Sequence, residues 1–176
     1  MSPQSLGSLF WDRVGRSGER PAQRVKGGGV WRDVSWQALG AEVRDIALGL
    51  VALGRRPGDA VGILSQSRGE WVRADFGILS AGGVTIPVYP TYPPESLAYI
   101  SRDSSMRTLF VEDQQQLGKA LAAMPEMPSL ESVIVMQGRA VSTGAGRGPR
   151  ILDWETLRGL GQAAHLRGSQ IGRAHV

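Results

Sequence analysis

Between Leu79 and Ser104 the chain reads LSAGGVTIPVYPTYPPESLAYISRDS, and no other stretch narrows the fold as far. A helix end runs into a Gly-Gly turn and then into the β-branched run Val84, Thr85, Ile86 and Val88. Pro90, Pro93 and Pro94 break that run into turn chemistry and open another helix, with Pro94 and Glu95 suited to its first turn. Helix, buried strand, helix in close succession is the mark of parallel strands joined by crossovers.

The same grammar extends along the chain. Leu6, Phe10 and Val14 share one face of a short helix. Ala22–Val25 and Val30–Trp36 flank Lys26-Gly27-Gly28-Gly29 as a β-hairpin; strand follows the glycines rather than Gly-Lys-Ser/Thr and a helix, so they are not a phosphate loop. Ser35 caps the strongest helix, in which Trp36, Leu39, Val43, Ile46, Leu50 and Leu53 recur every three or four residues while Glu42, Arg44 and Asp45 lie elsewhere. Gly54 and Pro57 stop it. Strands follow at Ala60–Leu64, Val84–Tyr89, Thr108–Val111 and Ser132–Met136, with helices over 68–81, from Pro94, over Gln114–Ala123 and over Trp154–Leu160, the last ending near Gly161. The expected class is α/β, with parallel-sheet layers covered by helices on both faces.

Composition excludes several functions. A hydrophobic share of 41% over 176 residues suits one globular domain. No apolar run approaches the ~20 residues of a membrane span, and the opening MSPQSLGSLFWDRV does not resemble a secretory leader. Without cysteine there are neither disulfides nor thiolate metal sites, and the cytoplasm is the expected compartment. The net charge of +4 arises wholly after residue 137, where six arginines face only Asp153 and Glu155, so no nucleic-acid partner is expected. Residues 138–150, GRAVSTGAGRGPR, read as a flexible surface loop.

Taken in series, SWQALGAEVRDIALGLVALGRRPGDAVGILSQSRGEWVRADFGILSAGGVTIPVYPTYPPESLAYISRDS resembles the N-terminal region of the long-chain fatty-acid–CoA ligases, members of the adenylate-forming (AMP-binding) superfamily. The resemblance continues through TLFVEDQQQLGKAL, SLESVIVM and ILDWETLRGLG. Pro87-Val88-Tyr89-Pro90-Thr91 is similar to the long-chain acyl-CoA branch rather than to the amino-acid-activating domains. The resemblance implies an incomplete N-terminal part of an adenylate-forming large domain over 1–168 and, for the intact enzyme, ATP, Mg²⁺, CoA and a fatty acid as cofactors and substrates. It implies a two-step reaction: acyl-adenylate and pyrophosphate form first, then the CoA thiol displaces AMP. The family's Ser/Thr/Gly-rich loop ending in Pro-Lys has no counterpart here, so no catalytic, cofactor-binding or metal residue is assigned and the chain alone is expected to be inactive. Lys26 and Lys119 read as solvated surface lysines, and His165 and His175 as lone histidines without metal-ligand spacing.

In open parallel sheets, ligands lie beyond the carboxyl ends of the strands. Ser65, Gln66 and Ser67, and Tyr89, Pro90 and Thr91, occupy such ends. They are candidates to border the substrate crevice, against the plainer reading of turn residues that shape the sheet edge. Two other functions stay open: a small non-enzymatic α/β binding module, and an acyl-adenylate ligase using a carrier-protein acceptor. Handling of long acyl chains admits peripheral contact with the inner face of the membrane, which no amphipathic basic segment here supports. Gln170–Val176 match the translation of a common sequencing-library adapter (CAG ATC GGA AGA GCA CAC GTC), so 169–176 is expected to be a non-native tail and the rest of the enzyme to be missing, a natural basic tail being the alternative. Such a truncated sheet would lack neighbouring strands and leave its helices without partners.

Overall fold

The structure is a computed structural model that describes residues 5–140 and 148–168. The middle of the loop expected over 138–150 and the tail 169–176 lie outside the described residues. Helix α1 (Leu6–Ser17) leads into an antiparallel hairpin, β1 (Pro21–Gly27) and β2 (Val30–Ser35). Gly28 and Gly29 turn it, both at positive φ, where a side chain would be strained. Ser35 then caps α2 (Trp36–Ala52), its hydroxyl accepting from the Ala38 amide at 3.1 Å. Trp36 is therefore helical rather than the last residue of the strand.

Strands and helices alternate from there: β3 (Ala60–Leu64), α3 (Gly69–Ser80), β4 (Val84–Val88), α4 (Pro94–Ser104), β5 (Thr108–Val111), α5 (Gln114–Ala123), β6 (Ser132–Val135), β7 (Arg150–Asp153) and α6 (Trp154–Leu166). The last five strands to pair, β4-β3-β5-β6-β7 in that order, form one parallel sheet. Leu64 lies beside Val88 and Val111, Val111 beside Val135, and Val135 beside Asp153, so the carboxyl ends finish level. Alternating side chains divide the core. Ile63, Phe110 and Ile134 pack with α2, α3 and α6 on one face. Leu64, Leu109, Val111, Val133 and Val135 pack with α4 and α5 on the other. The chain steps one way from β3 to β4 and back past β3 to β5, which puts α3 and α4 on opposite faces.

Three expectations need correction. Strand β4 is not a buried strand but the sheet's edge, with Val84 50% exposed. Pro87 sits in its middle because an edge strand has no second neighbour that needs the missing amide. Helix α6 does not end near Gly161 but continues to Leu166. Gly161 is a contact residue: a Cβ there would stand 1.8 Å from the Asp45 carbonyl oxygen of α2. Asp45 is buried in that α2–α6 interface, where its carboxylate accepts from Gln162 at 2.8 Å and lies 3.6 Å from Arg158. Leu6 differs as well, lying exposed while Phe10 stacks on Phe76 at 4.3 Å in a third, smaller cluster.

Candidate functional site

Strand order reverses at β3, so the crevice rule points to the gap between the carboxyl ends of β3 and β5. Side chains fill that gap. Glu112, the residue after β5, accepts hydrogen bonds from the Ser65 hydroxyl (3.2 Å), the Gln66 amide (2.7 Å) and Arg68 Nη1 (3.2 Å). Arg68 also donates to Gln137 Oε1 beyond β6 (3.0 Å) and to Glu70 Oε2 in the first turn of α3 (2.8 Å). One arginine thus ties together the ends of three strands. Burial acts to raise the Glu70 carboxyl, but the hydrogen bond and charge of Arg68 outweigh it and hold the group below its ordinary range. Burial likewise works against the Arg68 cation, yet Glu70 and Glu112 together raise its pKa.

Open space lies one strand further out. A cleft of about 310 Å³ separates the ends of β3 and β4, and Ser65, Gln66, Ser67, Tyr89 and Pro90 line it together with Trp71 of α3. The structure thus brings five of the expected residues to one cleft. Thr91 is not among its walls and stands exposed on the crest beyond. Tyr89 is 69% exposed, and its ring meets Tyr92 edge-on at 5.5 Å. Lys119 corrects another expectation: it is half-buried, and its ammonium donates to the Pro90 carbonyl, pinning the crest to α5.

The chemistry of this lining is neutral: hydroxyls, an amide and aromatic faces. It holds neither a Gly-rich loop nor a lysine to receive a triphosphate. Among the described residues no three His, Asp or Glu side chains are grouped to hold a metal ion. The lining of this cleft therefore does not fit ATP and Mg²⁺, and no reaction step is derived through them. Sequence reasoning misses Arg68, Glu112, Gln137 and Trp71. The pair Glu112-Asp113 directly after a strand is the one local signal for this network, since acidic side chains there stand at a carboxyl end.

The AMP-binding enzyme family matches residues 10–157. Long-chain-fatty-acid–CoA ligase FadD15 of Mycobacterium bovis is 36% identical over 131 residues, covering 74% of this chain and 20% of the relative. Long-chain-fatty-acid–CoA ligase ACSBG2 of Xenopus laevis is 28% identical over 162 residues, 92% of this chain and 21% of the relative. Among solved structures, acetoacetyl-CoA synthetase from Streptomyces lividans superposes with a TM-score of 0.73 at 25% identity, over 88% of this chain and 25% of that one. The A-PCP didomain of carboxylic acid reductase from Segniliparus rugosus, in complex with AMP, gives a TM-score of 0.78 at 14% identity over 93% of this chain and 27% of that one, a likeness of fold alone. The chain spans about a fifth of the length of the curated relatives it matches. Running from α1 into α6 and taking in every strand of the sheet, the family match establishes that the chain belongs to the AMP-binding enzymes.

Proposed function

We propose that this chain is the N-terminal portion of a long-chain fatty-acid–CoA ligase. The intact enzyme would join a fatty-acid carboxylate to the α-phosphate of ATP, with Mg²⁺, releasing pyrophosphate. It would then pass the acyl group from the adenylate to the thiol of CoA, releasing AMP. The observation that carries this reading is the 36% identity over 131 residues to a protein of that name. Residues 1–168 are read as part of the large domain, and a cytoplasmic setting with contact at the inner membrane face belongs to the same reading.

The cleft between β3 and β4 borders the substrate crevice in this reading. Its neutral lining and its aromatic faces, Trp71 and Tyr89, suit an apolar chain better than a phosphate. The triphosphate would be held by the remainder of the enzyme, so the chain alone is expected to form no adenylate. Exchange of labelled pyrophosphate into ATP tests this. The complete parent protein is expected to exchange when given long-chain fatty acids, and the 176-residue chain alone is not. A parent that exchanges only with amino acids overturns the substrate class, and exchange by the chain alone overturns the assignment of the phosphate site elsewhere.

A further inference from the structure

A second cleft, of about 540 Å³, opens between the β1–β2 hairpin and the start of α3. It adjoins the crevice at Arg68 but is walled by other elements. Arg24, Lys26, Arg32, Arg68 and Arg73 line it against two carboxylates, Glu70 and Glu112. Both carboxylates are committed: Glu70 accepts from Arg68, and Glu112 accepts from Arg68, Ser65 and the Gln66 amide. Arg24 is held by Asp33 across the hairpin through hydrogen bonds of 2.6 and 3.0 Å. Lys26 and Arg32, both exposed, form no ion pair among the described residues. Trp31 stands between them in sequence, 60% exposed, with the Lys26 ammonium 5.9 Å from its ring centroid.

Arg73 completes the wall. It is only 7% exposed; Glu42 lies 2.9 Å from its Nε, yet that Nε is buried without a hydrogen-bond partner among the described residues. Its Nη1 comes within 2.6 Å of where a Cβ on Gly69 would stand, so the glycine leaves room for the guanidinium beside the first residue of α3. Arg24, Arg68 and Arg73 each have a carboxylate partner, which leaves Lys26 and Arg32 as the unmatched cations of this wall, and an anion beside them offsets that excess charge. Guanidinium forks match phosphate oxygens, and the charge-assisted hydrogen bonds they make are the strong ones.

We propose that this cleft binds a compact phosphate-bearing anion, a phosphate monoester or a diphosphate, held by Lys26, Arg32 and Arg73. The site goes beyond the ligase reading and does not rest on it. Inorganic phosphate and then pyrophosphate, titrated into the 176-residue chain at ionic strength balanced with chloride, are expected to give saturable amide NMR shifts at Lys26, Arg32, Gly69 and Glu70. The amides of Tyr89 and Thr91 should stay in place. The double variant Lys26→Ala, Arg32→Ala should bind about tenfold more weakly, or worse, at an unchanged thermal midpoint. Shifts that rise without saturating, shifts that chloride reproduces, or an unaltered affinity in the double variant overturn the proposal. Vesicles of phosphatidic acid, whose headgroup is a phosphate monoester, against phosphatidylcholine then separate the sources. Co-sedimentation with the first alone assigns the phosphate to a lipid headgroup, and pyrophosphate binding without it assigns a soluble ligand.

Discussion

Glu131 illustrates how much a single carboxylate holds at the end of the sheet opposite the crevice. It precedes β6 and accepts from both Arg55 and Arg107, while Arg107 also reaches Asp59, just before β3, at 3.3 Å. Hydrogen bonds from Arg55 and then Arg107 hold the Glu131 carboxyl below its ordinary range. A value lower in the folded than in the unfolded state gives stability that is whole above the ordinary 4.5 and drains away as pH falls beneath it. Glu131→Gln is therefore expected to flatten the acid limb of a plot of Tm against pH. It should also cost about 1–2 kcal/mol at neutral pH, because Arg55 is left buried with its charge unmatched while water softens the loss at the partly exposed partner. Thermal melts from about pH 3 to about pH 7 check both, and an acid limb as steep as in the parent chain refutes the linkage.

Lys119 makes the same point about legibility. Its partner is a carbonyl 29 residues away, and nothing in the letters around either position joins them. Ser65 and Tyr89, by contrast, are legible in the sequence because the rule needs only the ends of two strands. The Arg68–Glu112 network is not legible, since it depends on β5 lying beside β3, and strand order is not written in local periodicity. Lys119→Met should leave global stability within about 1 kcal/mol, as one hydrogen bond partly replaced by water. Hydrogen exchange should nonetheless quicken at Tyr92, whose amide donates to the Tyr89 carbonyl at 3.0 Å in the turn that Lys119 steadies. Unchanged exchange at that amide would show that the crest holds itself.

At the scale of elements, the misread features are a glycine and a proline, each with two meanings. A glycine after an apolar helical run reads as a stop, as Gly54 does after α2. Gly161 has the same surroundings in sequence but a different task, because α6 crosses α2 so closely that a Cβ would strike the backbone of Asp45. Gly49 answers from the other helix, where a Cβ would lie 2.4 Å from the Leu157 carbonyl oxygen. Gly161→Ala favours helix locally yet must force the pair apart, and it is expected to destabilise by about 3 kcal/mol or more. Urea unfolding measures it, and a variant as stable as the parent would mean that the helices separate freely. Pro87 is the opposite case. The β-branched run around it suggests burial, whereas a proline inside such a run already demotes the strand to an edge.

For the whole molecule, the question is which surface an isolated chain of this kind leaves open. The sheet itself is covered: β3, β5 and β6 are buried along their length, and helices seat on both faces. The sheet has two edges, β4 and β7, and β4 leaves Val84 and Pro87 exposed and ends in the aromatic crest at Tyr89. The two main core clusters share the central strands β3, β5 and β6, which predicts one cooperative unfolding transition, with circular dichroism and tryptophan fluorescence coinciding. An unpaired edge predicts association between copies, since it presents backbone groups that a second edge satisfies. These effects separate experimentally. Val84→Lys places a charge on the edge without touching either core cluster, so it should abolish a concentration-dependent rise in sedimentation coefficient while leaving the unfolding midpoint within about 0.5 kcal/mol. If the variant associates as the parent does, the contact is made elsewhere, and the crest around Tyr89 and Tyr92 becomes the surface to change next. If the two spectroscopic transitions part, the core is not one cooperative unit.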